Sequence, residues 1–274
     1  MNKIKATYTR ADIYDLDYTG RTEDIAFITS LAQELIGSAT SSAKILEFCC
    51  GTGRITIPLA RAGFNVMGVD ITPEMLTLAR KKLKKEPADV SQRVQLLKND
   101  MRCVQINPGS YNLVLIPFNS FLHMTTQEDQ LAALANAYDH VVPGGYFLAD
   151  IFMPEINHLA RYVGPRFLKQ NEPILNEDTG TCLIHSAATT YNPATQVISE
   201  DWYYKLYDIP TGQLKEDLWF PFEIRIVFPA EWDLLLARVG FKVVARYGDY
   251  AKNPFGPKAR QMLFVCQKPC STKR

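Results

Sequence analysis

A doubly wound, mostly parallel α/β sheet is the fold class this sequence predicts, and three observations carry it. Apolar strand-like runs alternate with helical patterns from Ile45 to Phe152, which is how parallel strands joined by crossover helices are written. The first strand runs straight into a glycine turn, "EFCCGTGR", and then into a helix. After Pro154 the alternation stops in favour of consecutive β-rich runs, and it resumes near the C-terminus. The β-rich piece therefore reads as an insertion into one α/β domain.

Each element has its own local reason. Ile25, Ile28, Leu31, Ala32 and Leu35 recur at helical spacing, with Gly37 as a stop signal. Upstream, Tyr14 and Tyr18 lie four apart and would share a helix face. Small residues, "SATSSA", connect to strand "KILEFC". Helix "GRITIPLARAG", strand "FNVMGVD" and helix "TPEMLTLARKKLKK" follow, the last with Thr72 as cap and Pro73 in its first turn. Strands "VQLLKND" and "YNLVLIPF" precede helix "TQEDQLAALANAYDHV", a "PGG" turn and strand "YFLADIF". "TCLIHSAATTY", "TQVISEDWYYKLYD" and "QLKEDLWFPFEIRIVF", separated by "NPAT" and "IPTG", predict three long antiparallel strands with no helix between them. Helix "PAEWDLLLARVG" and strands "FKVVARYGDY" and "RQMLFVCQKP" close the domain. The expected organisation is an N-terminal helical lid over 1–42, the α/β domain over 43–153 and 229–270, and the β-rich cap over 154–228.

Bulk properties exclude several classes. A length of 274 residues can bury a sizeable core, and 47% hydrophobic against 22% charged residues is an ordinary globular balance. A net charge of +1 leaves no electrostatic footprint for nucleic acid or anionic membranes. No run of about 18 apolar residues predicts a spanning helix, and "MNKIKATYTR" lacks a signal-peptide core. The six cysteines form no C-x-x-C pair, so reduced thiols and a cytoplasmic location are expected. His140, His158 and His185 show no metal-ligand spacing with them, and no metal is expected. "RKKLKKE" reads as a solvated helix end.

The glycine turn suits a nucleoside-bearing cofactor, and charge separates two kinds. A dinucleotide fingerprint needs a third small residue where this chain has Thr56 after Gly51 and Gly53. Glu47, in the strand before the turn, would repel a pyrophosphate but tolerate a sulfonium and an ammonium group. Asp70 ends the second strand and can accept both ribose hydroxyls of either cofactor. Asn99–Asp100–Met101 ends the third strand.

Glu47-x-Cys-x-Gly51-x-Gly53, Asp70, Asn99–Asp100–Met101 and Pro143–Gly144–Gly145 together resemble the class I S-adenosylmethionine-dependent methyltransferases. The resemblance covers Ala43 to Phe152 and the closing strands, and implies a Rossmann-like sheet of seven strands. That family usually has Gly at the position of Cys49 or Cys50. The resemblance implies that Gly51 and Gly53 let the backbone approach the methionine moiety and that Glu47 orients the turn. It also implies that Asp70 holds the ribose, that Ile71 and Met75 lie against adenine, that Asp100 and Met101 read its edge, and that Phe118 lines the cofactor.

On the acceptor side, "IPFNSFLHM" follows the fourth strand, where loops line the ligand crevice of open α/β sheets. Methyl transfer needs a free lone pair on the acceptor, and imidazole is a base with a suitable pKa. His123 is therefore the candidate base; the alternative is that it only hydrogen-bonds its own loop. "YDLDYTGRTEDI", "NSFLHM" and the β-insert resemble small-molecule N-methyltransferases of the glycine and aminosugar N,N-dimethyl types. That likeness implies a base role for His123, with Tyr14 and Tyr18 closing over the cofactor and Tyr14 assisting catalysis. Arg21 would meet the cofactor carboxylate, or else pair with Glu23 or Asp24 on the surface. Asn119, His123, Phe152, Trp202 and Tyr204 are the candidate acceptor contacts, although aromatics of an inserted layer also serve its own core or a homodimer contact. Asn119 lacks the Pro-Pro-aromatic run of base-methylating enzymes, which argues against base flipping. The leading reading is methylation of a nitrogen or oxygen on a small-molecule metabolite. A non-catalytic cofactor-binding module is the alternative, and a nicotinamide oxidoreductase is disfavoured by Glu47 and Thr56.

Overall fold

The computed structural model describes residues 8–37 and 43–270. The chain divides into two compact units, one of 1–21 with 154–226 and the other of 22–153 with 227–274. In chain order, α1 (Ala11–Asp17) belongs to the first and α2 (Glu23–Ile36) to the second, so the expected lid segment 1–42 is shared between them.

The second unit is the α/β one. Its strands and helices run β1 (Lys44–Phe48), α3 (Thr56–Arg61), β2 (Asn65–Asp70), α4 (Pro73–Leu83), α5 (Ala88–Ser91), β3 (Val94–Lys98), β4 (Tyr111–Ile116), α6 (Gln127–His140) and β5 (Val141–Phe152). With the closing strands β11 (Lys242–Tyr247) and β12 (Gln261–Gln267), the sheet order is β11-β12-β5-β4-β1-β2-β3, and β12 runs antiparallel to both neighbours. Strand order therefore reverses between β1 and β4. That is where the crevice of a doubly wound sheet opens, beyond the carboxyl ends of the two strands. The central strands are buried on both faces and read as near-continuous apolar runs: Ile45, Leu46 and Phe48 in β1, and Leu113 to Ile116 in β4, are fully buried. Phe27, Ile28, Leu31 and Ala32 of α2 join the core on one face.

Two boundaries differ from the sequence pattern. The helix after the glycine turn begins at Thr56 rather than Gly53, because Gly53 has a φ of +80° and the chain is still turning through Ile55. The "PGG" segment is not a separate turn. It lies inside β5 as a break in register, where Tyr111 pairs with Val141 but Leu113 already pairs with Tyr146.

The first unit comprises α1, α7 (Ile156–Arg161), β6 (Phe167–Gln170), β7 (Ile174–Asn176), β8 (Thr181–Asn192), β9 (Val197–Asp208) and β10 (Leu214–Arg225). The three expected long strands are each 12 residues and antiparallel, in order β10-β9-β8-β6 with β7 also on β8. The helical turn and two short strands before them carry too few residues to give a period. Inward alternate positions Leu183, Trp202, Tyr204 and Phe220 form a core with Ile13 and Leu16 of α1. The α/β unit then closes with α8 (Pro229–Val239), β11 (Lys242–Tyr247) and β12 (Gln261–Gln267).

Candidate active site

The turn after β1 is held by the carboxylate that ends β2. Asp70 Oδ2 accepts the Gly51 N–H at 2.8 Å, and Oδ1 accepts the Thr72 N–H at 2.8 Å. Burial raises the Asp70 pKa above its ordinary value while these N–H groups oppose the shift. Gly51 has a φ of +54°, and a Cβ built on it would meet no atom within 4 Å. The turn thus presents bare backbone to open space. Cys49, with a φ of +56°, shares the left-handed conformation, which explains the usual glycine of the pattern and costs about 1–2 kcal/mol here.

Glu47 lies beneath the turn and is fully buried. Thr56, the residue that departs from the dinucleotide fingerprint, donates its hydroxyl to Glu47 Oε2 at 2.5 Å. Burial pushes the Glu47 pKa up to about 8, against the opposing pull of Thr56 and Arg54.

The remaining candidates of this unit divide in two. Met75 is buried in α4, Ile71 is half-buried after β2, and Met101 is buried with its sulfur 3.6 Å from Cys49 Sγ. Asp100 is engaged by its neighbour: Arg102 donates to both its oxygens and reaches Asp129 at 2.6 Å. His123 ends a short 3₁₀ turn, Ser120–His123, and is half-buried. Asn119 uses its Oδ1 to accept the Phe152 N–H at 2.7 Å, which ties the loop after β4 to the end of β5.

Tyr14, Tyr18, Arg21, Trp202 and Tyr204 belong to the antiparallel unit. Tyr14 and Tyr18 share a face of α1 and its end, their rings 4.7 Å apart, and Arg21 lies over the Tyr18 ring at 5.2 Å. Burial raises the Tyr18 pKa. Tyr204 donates to Asp17 at 2.9 Å and stacks on His185 at 4.3 Å, while Trp202 donates to Glu200 at 2.6 Å.

Sequence reasoning missed two groups in the α/β unit. Arg54, just after the glycine turn, grips Asp24 with both terminal nitrogens, at 2.9 and 2.5 Å, and lies over the Phe118 ring at 4.3 Å. Asp24, one of the surface partners weighed for Arg21, is buried instead. Its spacing to Ile28 and Leu31 puts it on the apolar face of α2, a signal available in the sequence. The second group is Asp150 with Tyr250, joined at 2.9 Å across 100 residues, which no local pattern marks.

Residues 45–145 match the methyltransferase domain family. That stretch runs from β1 to the break in β5 and takes in the glycine turn, Asp70 and the loop after β4. Two curated relatives are 32% identical over 114 residues, the putative methyltransferase YqeM of Bacillus subtilis, and 31% over 141 residues, the dTDP-3-amino-3,4,6-trideoxy-alpha-D-glucopyranose N,N-dimethyltransferase of Streptomyces venezuelae. They cover 42% and 51% of this chain, and the chain spans 44% and 56% of theirs, about half the length of the curated relatives it matches. The CcbJ methyltransferase of Streptomyces caelestis shares the fold at a TM-score of 0.79 and 23% identity, over 98% of this chain and 100% of that one. Among the described residues no helix is long and apolar enough to cross a membrane, and no cluster of three or more His, Cys, Asp or Glu could hold a metal ion.

Proposed function

We propose that this chain transfers the methyl group of S-adenosylmethionine to a nitrogen, or an oxygen, of a small-molecule acceptor. The observation that carries the reading is the open, positive-φ turn at Gly51, pinned by Asp70 and underlain by Glu47. Three features fit the cofactor. Asp70 sets a carboxylate at the end of β2, beside the turn, where a ribose diol would meet it. Gly51 allows close approach of a methionine moiety. Two carboxyl groups at the turn, Asp70 and Glu47, favour a cation over a pyrophosphate.

The cofactor supplies an electrophilic methyl on a positive sulfur, and transfer leaves a neutral thioether. The new bond to the acceptor forms as the carbon–sulfur bond breaks, and the acceptor sheds one proton. His123, on the loop after β4 beside the switch point, takes that proton. Ile71, Met75 and Met101 form the adenine wall, with Asp100 at its edge and Phe118 beside the methionine end. Asn119 and Phe152 shape the acceptor side of this unit, where the Asn119 side chain ties the loop after β4 to the end of β5.

The N,N-dimethyltransferase relative supports nitrogen as the acceptor atom. Six free cysteines accord with a cytoplasmic location. Incubation with methyl-labelled S-adenosylmethionine and a panel of amino and hydroxy metabolites tests the reading: label should appear in at least one metabolite, and binding with no transfer to any of them points to a non-catalytic module.

A further inference from the structure

The loop that carries His123 begins with an uncommon backbone corner. Phe118 and Asn119 are consecutive non-glycine residues in the left-handed region, at φ +55° and +61°. Such a pair persists only where its surroundings over-determine it, and strain of this kind gathers at functional sites. Here one residue supplies most of the restraint. The Phe118 N–H donates to Asp150 Oδ2 at 3.2 Å, and the Asn119 N–H donates to the Asp150 carbonyl at 2.7 Å. Asn119 Oδ1 then accepts the Phe152 N–H, two residues further along β5. The 3₁₀ turn starts from this corner, with the Leu122 N–H on the Asn119 carbonyl.

We infer that Asp150, steadied by Tyr250, is the positioning residue of the acceptor loop, holding the Phe118–Asn119 corner so that the following turn presents His123 to the acceptor. Asp150 is fully buried at the end of β5, and its Oδ1 has no hydrogen-bond partner among the described residues. A carboxyl kept in such a place at a desolvation cost needs a purpose beyond packing. Tyr250, from the loop after β11, donates to the same Oδ2 that receives Phe118, so it fixes which oxygen faces the corner. Asp24 and Arg54 are the other charged groups that bear on the carboxyl, and burial raises its pKa to about 6. Its Oδ2 accepts from both the Phe118 N–H and the Tyr250 hydroxyl.

The consequence for turnover rests on the methyl-transfer reading, whereas the effect on loop geometry does not. Displacing a catalytic group by about 1 Å can cost 10²-fold in rate without altering binding elsewhere. Asp150→Ala, Asp150→Asn and Tyr250→Phe should be compared with the wild type in amide exchange over 118–124, turnover and S-adenosylhomocysteine affinity. Asp150→Ala should speed exchange and lower turnover, each by about tenfold or more, with a smaller loss of affinity because only Phe118 of the cofactor contacts is released. Asp150→Asn keeps a carbonyl oxygen for Phe118 and Tyr250 and should recover most of both losses. Tyr250→Phe removes a single hydroxyl and should give a smaller change of the same kind, so it decides the matter if Asp150→Ala fails to fold. Unchanged exchange in the alanine and phenylalanine variants overturns the inference, as does an asparagine variant no better than alanine. If the wild type transfers no methyl group, the functional reading fails and exchange alone decides the positioning role.

Discussion

The Thr56 hydroxyl donates to the buried Glu47 carboxyl at 2.5 Å, so the residue that breaks the dinucleotide fingerprint is the partner of the acid that disfavours a dinucleotide. A small third residue would leave Glu47 without this donor. The cofactor preference is thus written twice in the same few residues.

Burial of Glu47 fixes a dependence on pH. Its pKa rises from 4.5 to about 8, and that of Asp150 from 3.8 to about 6, so the folded state holds protons that the unfolded chain has already released. Where the folded state binds more protons, stability falls as pH rises, by roughly 1 kcal/mol per pH unit for each such proton. Without cofactor the urea midpoint should decline from pH 5 to pH 8, and Glu47→Gln should flatten most of that slope. A midpoint that rises over this range contradicts the assignment.

Asp70→Asn should weaken S-adenosylhomocysteine binding. Charge-assisted hydrogen bonds contribute about 1.5–3 kcal/mol each, which is about tenfold or more in affinity for each ribose hydroxyl. Titration calorimetry on the variant measures this, and an unaltered dissociation constant removes Asp70 from the ribose site.

His123→Ala should lower turnover about 10²–10⁴-fold if the imidazole takes the proton. Cofactor affinity should stay near the wild-type value. A variant that binds poorly but turns over normally at saturation reassigns His123 to the cofactor.

The Asp24–Arg54 pair is buried, with side-chain exposures of 3% and 14%. Removing one partner strands a charge, and breaking buried pairs costs about 3–5 kcal/mol. Arg54→Met alone should destabilise by that order, whereas Arg54→Met with Asp24→Leu should recover much of the loss. Chemical denaturation of the double-mutant cycle reads the difference directly.

How much of this was legible follows from range. The strand–helix alternation, the glycine turn, Asp70 and the three long strands of the insert are local patterns, and the sequence displayed them. Asp24 was half-legible, since its place on the apolar face of α2 marks a buried charge without naming Arg54 as the counterion. The tie between Asp150 and Tyr250 spans 100 residues and arises only when β12 brings the C-terminal segment back beside β5. The left-handed pair at Phe118–Asn119 was equally hidden, because neither residue is a glycine and only tertiary hydrogen bonds hold them there. The β5 register break was misread because "PGG" has the composition of a free turn, while its flanks remain paired.

Calorimetric titration of the purified protein with S-adenosylhomocysteine, run in parallel with NAD, puts the central claim at greatest risk. Saturable one-site heat with the thioether nucleoside and none with the dinucleotide is the predicted result; no uptake of the former, or binding of the latter in its place, would contradict it.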